Sequence, residues 1–132
     1  MTSEEASFQR VHVDEVVRLI DSGYQVVDVR DDREWSQGHI PGARHVTLAA
    51  ILANPGIHDF KDKTIFVCAV GERSAVAAEM GIALGARKVV NLEGGTNAWV
   101  AAGLAIEVPG SGLRRRLPET PARPVPALET TR

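Results

Sequence analysis

Short β-branched segments alternate with helix-like segments along most of the chain, and this alternation restricts its fold more than any other feature. Residues 25–30 (QVVDVR), 64–68 (TIFVC) and 89–92 (VVNL) are typical of short buried strands. Apolar residues recur at helical spacing across 13–20, and the Ala-rich stretch 73–84 also favours a helix. Strands and helices that alternate through short loops predict an α/β domain, with a mainly parallel five-stranded sheet and helices on both faces.

The alternation covers residues 1–108, and residues 109–132 differ from it in composition. The chain of 132 residues fits one domain. The segment 109–132 contains five of the seven prolines, three consecutive arginines and few large apolar residues, so we predict a disordered tail. The arginines could bind an acidic partner, but a solvated tail is the favoured interpretation.

The charge of the chain is uneven, and it bears on the partners and location of the protein. Residues 1–108 contain 10 Lys and Arg against 15 Asp and Glu, whereas residues 109–132 contain 5 Arg against 2 Glu. An acidic folded part argues against nucleic acid as a partner. The chain has no apolar run of about 18 residues, and its N-terminus is polar, so we expect a cytoplasmic protein with no membrane contact. We expect a monomer or a weak dimer.

Cys68 is the only cysteine of the chain, and its surroundings distinguish it from an ordinary buried thiol. A lone cysteine usually acts as a small hydrophobic residue. Cys68, however, ends an apolar strand and precedes a short loop and a helix predicted from Arg73. Loop amides and the positive end of a helix can converge on one anion, which lowers the pKa of a thiol and makes it reactive. The same field would stabilise a persulfide anion.

Three sequence blocks, spanning about residues 10–108, resemble the rhodanese family of single-domain sulfurtransferases. The first contains Asp28-Val29-Arg30 and residues 34–43 (EWSQGHIPGA), the second is C-x-x-G-x-R-S from Cys68 to Ser74, and the third is residues 92–104 (LEGGTNAWVAAGL). The blocks occur in the order that the family shows. Thr96 and Ala105 depart from the family pattern, in which an aromatic residue and a proline are usual. These departures affect local packing in the third block rather than the chemistry.

The resemblance implies that Cys68 takes sulfane sulfur from a donor and passes it to a thiophilic acceptor as a persulfide. It further implies that the amides of the active-site loop cradle the outer sulfur, that Arg73 supports the loop or the bound anion, and that Asp28 and Arg30 brace the site. Arg30 and Glu34 are four residues apart, so they could also form an ion pair. The predicted loop residues are Ala69, Val70, Gly71, Glu72, Arg73 and Ser74. The expected partner is a small sulfur donor or acceptor, or a protein that carries a persulfide.

The other polar and aromatic residues of these blocks favour structural roles. We expect His39 to tie a turn rather than act as a base, because nothing in the sequence places it near Cys68. We expect Ser74 to cap the helix or donate to the loop, and both tryptophans to lie in the core. The four histidines do not share a metal-ligand spacing with Cys68, so we predict no metal and no cofactor.

Two other functions remain open from the sequence. A phosphatase or arsenate reductase also uses a cysteine, an amide cradle and an arginine, but the loops of those families have one more residue than this loop. A non-catalytic rhodanese-like binding module is the other alternative, although such modules often lack the cysteine. If the chain is a sulfurtransferase, we expect thiosulfate to be a usable but poor donor, because Glu72 and the acidic domain oppose binding of a dianion.

Overall fold

A computed structural model of the chain describes residues 7–109 and 114–115, and its main feature is a five-stranded parallel sheet. The strands are β1 (Gln9–Val11), β2 (Gln25–Asp28), β3 (Arg44–His45), β4 (Thr64–Val67) and β5 (Val90–Leu92). They lie in the order β1-β5-β4-β2-β3, and each neighbouring pair is parallel. The predicted α/β class and the five-stranded sheet are therefore confirmed.

Five α-helices connect the strands and cover both faces of the sheet. They are α1 (Val13–Asp21), α2 (Asp32–Ser36), α3 (Leu48–Ala53), α4 (Glu72–Ala83) and α5 (Gly95–Ala101), with a 3₁₀ turn at Pro55–Ile57 among the residues described. Side chains of β4 alternate between the two faces, so Phe66 packs with Ala77 of α4 on one face. Ile65 and Val67 pack with Trp99 of α5 on the other. Both apolar layers are thus built on the central strand.

The carboxyl ends of the central strands meet at one edge of the sheet, and this edge positions the candidate site. Asp28 is the last residue of β2, Cys68 follows β4, and Glu93 follows β5. Ligand and active sites of open parallel sheets lie at this edge. Cys68 therefore occupies the position that the sequence analysis predicts, at the end of a central strand rather than within it.

A second, two-stranded antiparallel sheet follows the domain. Its strands are β6 (Ile106–Glu107) and β7 (Arg114–Arg115). The strand β7 falls within the segment 109–132 that the sequence predicts to be disordered, while residues 110–113 and 116–132 lie outside the described residues, so that prediction stays a prediction. Within the described part of the chain, no helix is both long and apolar enough to cross a bilayer.

Candidate active site

The sulfur of Cys68 lies inside the loop that joins β4 to α4. Gly71 N–H donates to Cys68 Sγ over 3.1 Å, and the Ser74 hydroxyl lies 3.4 Å from the same sulfur. Gly71 has φ of 106°, a left-handed conformation that favours glycine and lets the loop turn back over the sulfur. Ser74 therefore donates to the Cys68 thiol, whereas a helix cap or a bond to the loop was expected for it. The loop is a set of donors that faces a single atom.

Burial and hydrogen bonding act in opposite directions on the Cys68 thiol. The side chain is fully buried, and this burial raises its pKa. Hydrogen bonds from the hydroxyl and amide of Ser74, and from the amides of Gly71 and Val70, lower it, and their sum leaves the pKa below its ordinary value. Cys68 is thus a buried thiol whose thiolate is favoured by directed donors.

The outer part of the loop is open to solvent although the sulfur is not. Val70 and Glu72 are exposed, whereas Gly71 and Ser74 are buried with Cys68. The Cys68 sulfur is therefore buried, while part of the loop around it is accessible to solvent.

Arg73 forms an ion pair that the sequence analysis did not predict. Its Nη1 and Nη2 atoms donate to the two carboxylate oxygens of Glu34, over 2.8 and 2.9 Å. The hydrogen bonds from Arg73 hold the pKa of Glu34 at about 2, well below its usual range, and the pairing raises the pKa of Arg73. The expected pairing of Glu34 with Arg30 is therefore wrong. The contacts described for the Arg73 guanidinium are with this carboxylate, not with loop carbonyls.

Asp28 and Arg30 form a buried pair at the end of β2. Arg30 Nε and Nη2 donate to the Asp28 carboxylate, with Nη2 2.9 Å from Oδ2, and Nη2 also donates to the Gly38 carbonyl over 2.7 Å. Both side chains are almost fully buried. Because a buried charge needs a partner, the pair and the Gly38 carbonyl fix each other. The pair ties the strand end to the loop that carries Gly38 and His39. Its effect on activity stays a prediction.

His39 occupies a structural position away from the Cys68 sulfur contacts. Its ring stacks on Trp35, with centroids 3.4 Å apart, and its Nδ1 lies 3.2 Å from the Trp35 carbonyl, to which it donates. The ring of His45 also stacks with Trp35, with centroids 4.4 Å apart. Burial lowers the pKa of His39, so the ring is neutral near pH 7. These contacts match the expected role in tying a turn.

The first residues of α5 donate hydrogen bonds to the backbone of the active-site loop. Thr96 N–H donates to the Cys68 carbonyl over 2.8 Å, and Asn97 N–H donates to the Ala69 carbonyl over 3.1 Å. Gly95 lies so close that a Cβ there would be 2.3 Å from the Cys68 carbonyl oxygen. The close approach of two backbones is what requires Gly95.

Asn91, a polar residue within the buried strand β5, was not predicted as a site residue. Asn91 is fully buried, and its Nδ2 donates to the Gly71 carbonyl and to Glu93. A polar side chain in an otherwise apolar buried strand was the signal available in the sequence. At Ala105, where the family pattern has proline, the backbone carbonyl accepts a hydrogen bond from Trp99 Nε1 over 2.8 Å. Thr96 is buried, and its hydroxyl has no partner in the described structure.

The described residues contain no group of three or more His, Cys, Asp and Glu side chains arranged to hold a metal ion. The predicted absence of a metal and of a cofactor stays a prediction. The site as described consists of one thiol, a cradle of backbone amides, one hydroxyl and two supporting ion pairs.

Comparisons with known proteins agree with this architecture. The family model of the rhodanese-like domain matches residues 12–102. Thiosulfate sulfurtransferase GlpE of Pseudomonas aeruginosa strain PAO1 is 34% identical over 93 residues, which are 70% of this chain and 84% of GlpE. The crystal structure of a rhodanese-like domain protein from Staphylococcus aureus is 33% identical, with a TM-score of 0.64, over 76% of this chain and 97% of that one.

A third comparison concerns a protein of unknown function from Rhodopseudomonas palustris CGA009, described as a possible tyrosine phosphatase. Its structure is 34% identical, with a TM-score of 0.66, over 79% of this chain and 89% of that one. The family match covers more than half of the chain and includes the strand, loop and helix that surround Cys68. The chain belongs to the rhodanese-like domain family.

Proposed function

We propose that the protein is a rhodanese-type sulfurtransferase that carries sulfane sulfur on Cys68. The Cys68 thiolate attacks the outer sulfur of a donor such as thiosulfate. The sulfur–sulfur bond of the donor breaks, sulfite leaves with the electron pair, and a Cys68 persulfide anion remains. A nucleophilic acceptor such as cyanide then attacks the outer sulfur, forms thiocyanate, and releases the Cys68 thiolate. The cycle is balanced and uses no other redox partner.

One observation carries this proposal: several donors converge on the Cys68 sulfur within a small loop. The amide of Gly71 and the hydroxyl of Ser74 contact Sγ, and these donors lower the thiol pKa against its burial. Preorganised donors stabilise an anion without reorganisation during the reaction. A thiolate and the terminal sulfur of a persulfide are both anions that fit such a cradle. The GlpE relatives, named thiosulfate sulfurtransferases, support the same assignment.

The phosphatase alternative receives less support. Its one favourable observation is the similarity to the Rhodopseudomonas palustris protein. In a phosphatase, the loop arginine would bind the substrate oxyanion, but in this structure both terminal nitrogens of Arg73 are directed to the Glu34 carboxylate. The non-catalytic alternative is disfavoured because Cys68 is present and its sulfur faces the loop donors.

The charges around the loop favour a donor with less charge than thiosulfate. Glu72 is exposed beside the loop, and the positive charge of Arg73 is paired with Glu34. Residues 1–108 are acidic as a whole, which opposes the approach of a dianion. We therefore propose that a persulfide on a small thiol or on a protein is the better donor, and that thiosulfate binds weakly.

Steady-state formation of thiocyanate from thiosulfate and cyanide tests the proposed function. We expect turnover with a high KM for thiosulfate, none for Cys68→Ser, and no hydrolysis of p-nitrophenyl phosphate. Glu72→Gln should lower this KM modestly, and less at high salt, because salt screens exposed charges. Turnover by Cys68→Ser would contradict the assignment. Tight binding of thiosulfate, unaffected by Glu72→Gln, would contradict only the argument about the donor.

The remaining aspects of the function stay predictions. They are the cytoplasmic location, the monomeric or weakly dimeric state, and the absence of nucleic-acid and membrane partners.

A further inference from the structure

Three carbonyl groups of the active-site loop are held by hydrogen bonds from β5 and α5. The Cys68 and Ala69 carbonyls accept from the backbone of α5, as described above. The Gly71 carbonyl accepts from Asn91 Nδ2 over 3.1 Å. The third bond is the one that comes from a side chain, so a substitution can remove it.

The hydrogen bond to the Gly71 carbonyl fixes the orientation of a peptide plane. In a trans peptide the carbonyl of one residue and the N–H of the next point in opposite directions. Because the Gly71 carbonyl points toward Asn91, the N–H of Glu72 points away from it. The same bond restricts ψ of Gly71, whose own N–H donates to Cys68 Sγ over 3.1 Å.

The side-chain contacts described for Gly71 are those with the Cys68 sulfur and with Asn91. Gly71 is the N-cap residue of this helix, and no side-chain hydrogen bond caps the helix. A glycine with φ of 106° has wide conformational freedom, so its position in the loop depends on external contacts. Asn91 supplies one of these contacts from a fully buried position.

The orientation of the Asn91 amide is itself determined by a neighbour. Asn91 Nδ2 also donates to Glu93 Oε2 over 2.6 Å, and this oxygen accepts from Arg10 Nη1 over 3.2 Å. The opposite amide orientation would place the Asn91 oxygen against the Gly71 carbonyl and the Glu93 carboxylate, which repel it. Glu93 therefore selects the orientation in which the amide donates to the loop.

We propose that Asn91 is a positioning residue for sulfur transfer: its amide, oriented by Glu93, holds the Gly71 carbonyl so that the loop amides face the sulfur of Cys68. This inference builds on the proposed function and adds a residue to its machinery. Asn91 does not touch the reacting sulfur and acts through Gly71.

The pKa of the Cys68 thiol, measured from the pH dependence of its alkylation by iodoacetamide, tests the proposal in Asn91→Leu. Leucine has a similar volume but no donor. We expect the thiol pKa to rise by about one unit. We expect kcat of sulfur transfer to fall about tenfold, since such supporting contacts commonly matter to this extent. Alkylation needs no sulfur donor, so this readout stays interpretable even if the proposed function fails.

Val90→Ala is the matched control. Val90 precedes Asn91 on β5 and packs on the other side of the sheet, so its truncation destabilises the same strand without touching the loop. We expect a lower melting temperature and an unchanged thiol pKa. If Val90→Ala and Asn91→Leu shift the pKa equally, or if neither does, the positioning role is contradicted.

Glu93→Ala provides a second test in a residue that is partly exposed, so folding is less at risk. We expect a smaller rise of the thiol pKa than in Asn91→Leu. In the double variant, the pKa should equal that of Asn91→Leu alone, because Glu93 acts through the Asn91 amide. Additive shifts would show that Glu93 acts by another route and would overturn the proposed relay.

Discussion

Arg73 and Glu34 lie 39 positions apart in the chain and form a two-point ion pair beside the active-site loop. Glu34 belongs to the short helix α2, whose N-terminus is closed by a capping box with Asp31. The carboxylate that this box fixes also binds Arg73, at the start of α4. At the scale of single residues, the loop is therefore tied to α2 by side chains, and to β5 by Asn91.

The low pKa of Glu34 predicts how stability depends on pH. A carboxyl whose pKa falls from 4.5 to about 2 on folding stabilises the fold fully above pH 4.5 and loses this contribution as the pH falls toward 2. Both side chains are partly exposed, so we expect the pair to contribute about 1 kcal/mol at pH 7, or roughly 4 °C in Tm. The difference in Tm between the wild type and Glu34→Gln should shrink steadily between pH 4.5 and 2.

Arg33→Ala, on the exposed side of α2, is the control for this measurement. It changes the charge of the same helix without a contact to Arg73, and its Tm should follow that of the wild type over the whole range. A difference between the wild type and Glu34→Gln that stays constant from pH 7 to pH 2 would contradict the ion-pair account.

The contact between α5 and the active-site loop is the main feature at the scale of secondary-structure elements. The first turn of α5 donates two amides to loop carbonyls, and this requires the backbones to approach at Gly95. Two sets of hydrogen bonds therefore hold the active-site loop. Its own amides donate to Cys68 Sγ, and the amides of α5 donate to its carbonyl groups. This arrangement explains why Gly95 and a helix follow β5.

Gly95→Ala is predicted to damage the site through this contact. The added Cβ would meet the Cys68 carbonyl at 2.3 Å, and the residue has φ of 61°. We expect a loss of about 3 kcal/mol in the free energy of unfolding, measured in urea. The thiol pKa should rise, because the loop must move.

Gly103→Ala separates the steric effect from the backbone effect. Gly103 follows the same helix with φ of 81°, but a Cβ there has open space. Conformational strain alone should then lower the free energy of unfolding, by about 1 kcal/mol, and the thiol pKa should not change. Equal losses in the two variants would show that the close approach at Gly95 does not matter.

At the scale of the whole molecule, the alternation of strands and helices was sufficient to predict the α/β class, the five-stranded sheet and the position of Cys68. These features depend on local apolar patterns and on the rule that parallel strands end at one edge. The thiol, its loop and the candidate supporting residues Asp28 and Arg30 could be named because they lie within the sequence blocks that resemble the family, but the pairing of Asp28 with Arg30 was not predicted.

The contacts that could not be predicted join residues far apart in the chain. The pairing of Arg73 with Glu34, the support of Gly71 by Asn91 and the close approach of Gly95 all depend on how elements pack. A local spacing argument instead favoured Arg30 as the partner of Glu34, since the two are four residues apart. The buried Asp28 carboxylate binds Arg30 instead, because a buried charge requires the nearest opposite charge.

The most direct measurement of the central claim is the intact mass of the protein after exposure to a sulfane-sulfur donor. We expect the wild type to become heavier by one sulfur atom, and cyanide to remove this atom with formation of thiocyanate. Cys68→Ser, treated in the same way, should show no change in mass. A wild-type protein that never acquires the sulfur atom from thiosulfate or from a persulfide donor, or a Cys68→Ser protein that does acquire it, would contradict the account.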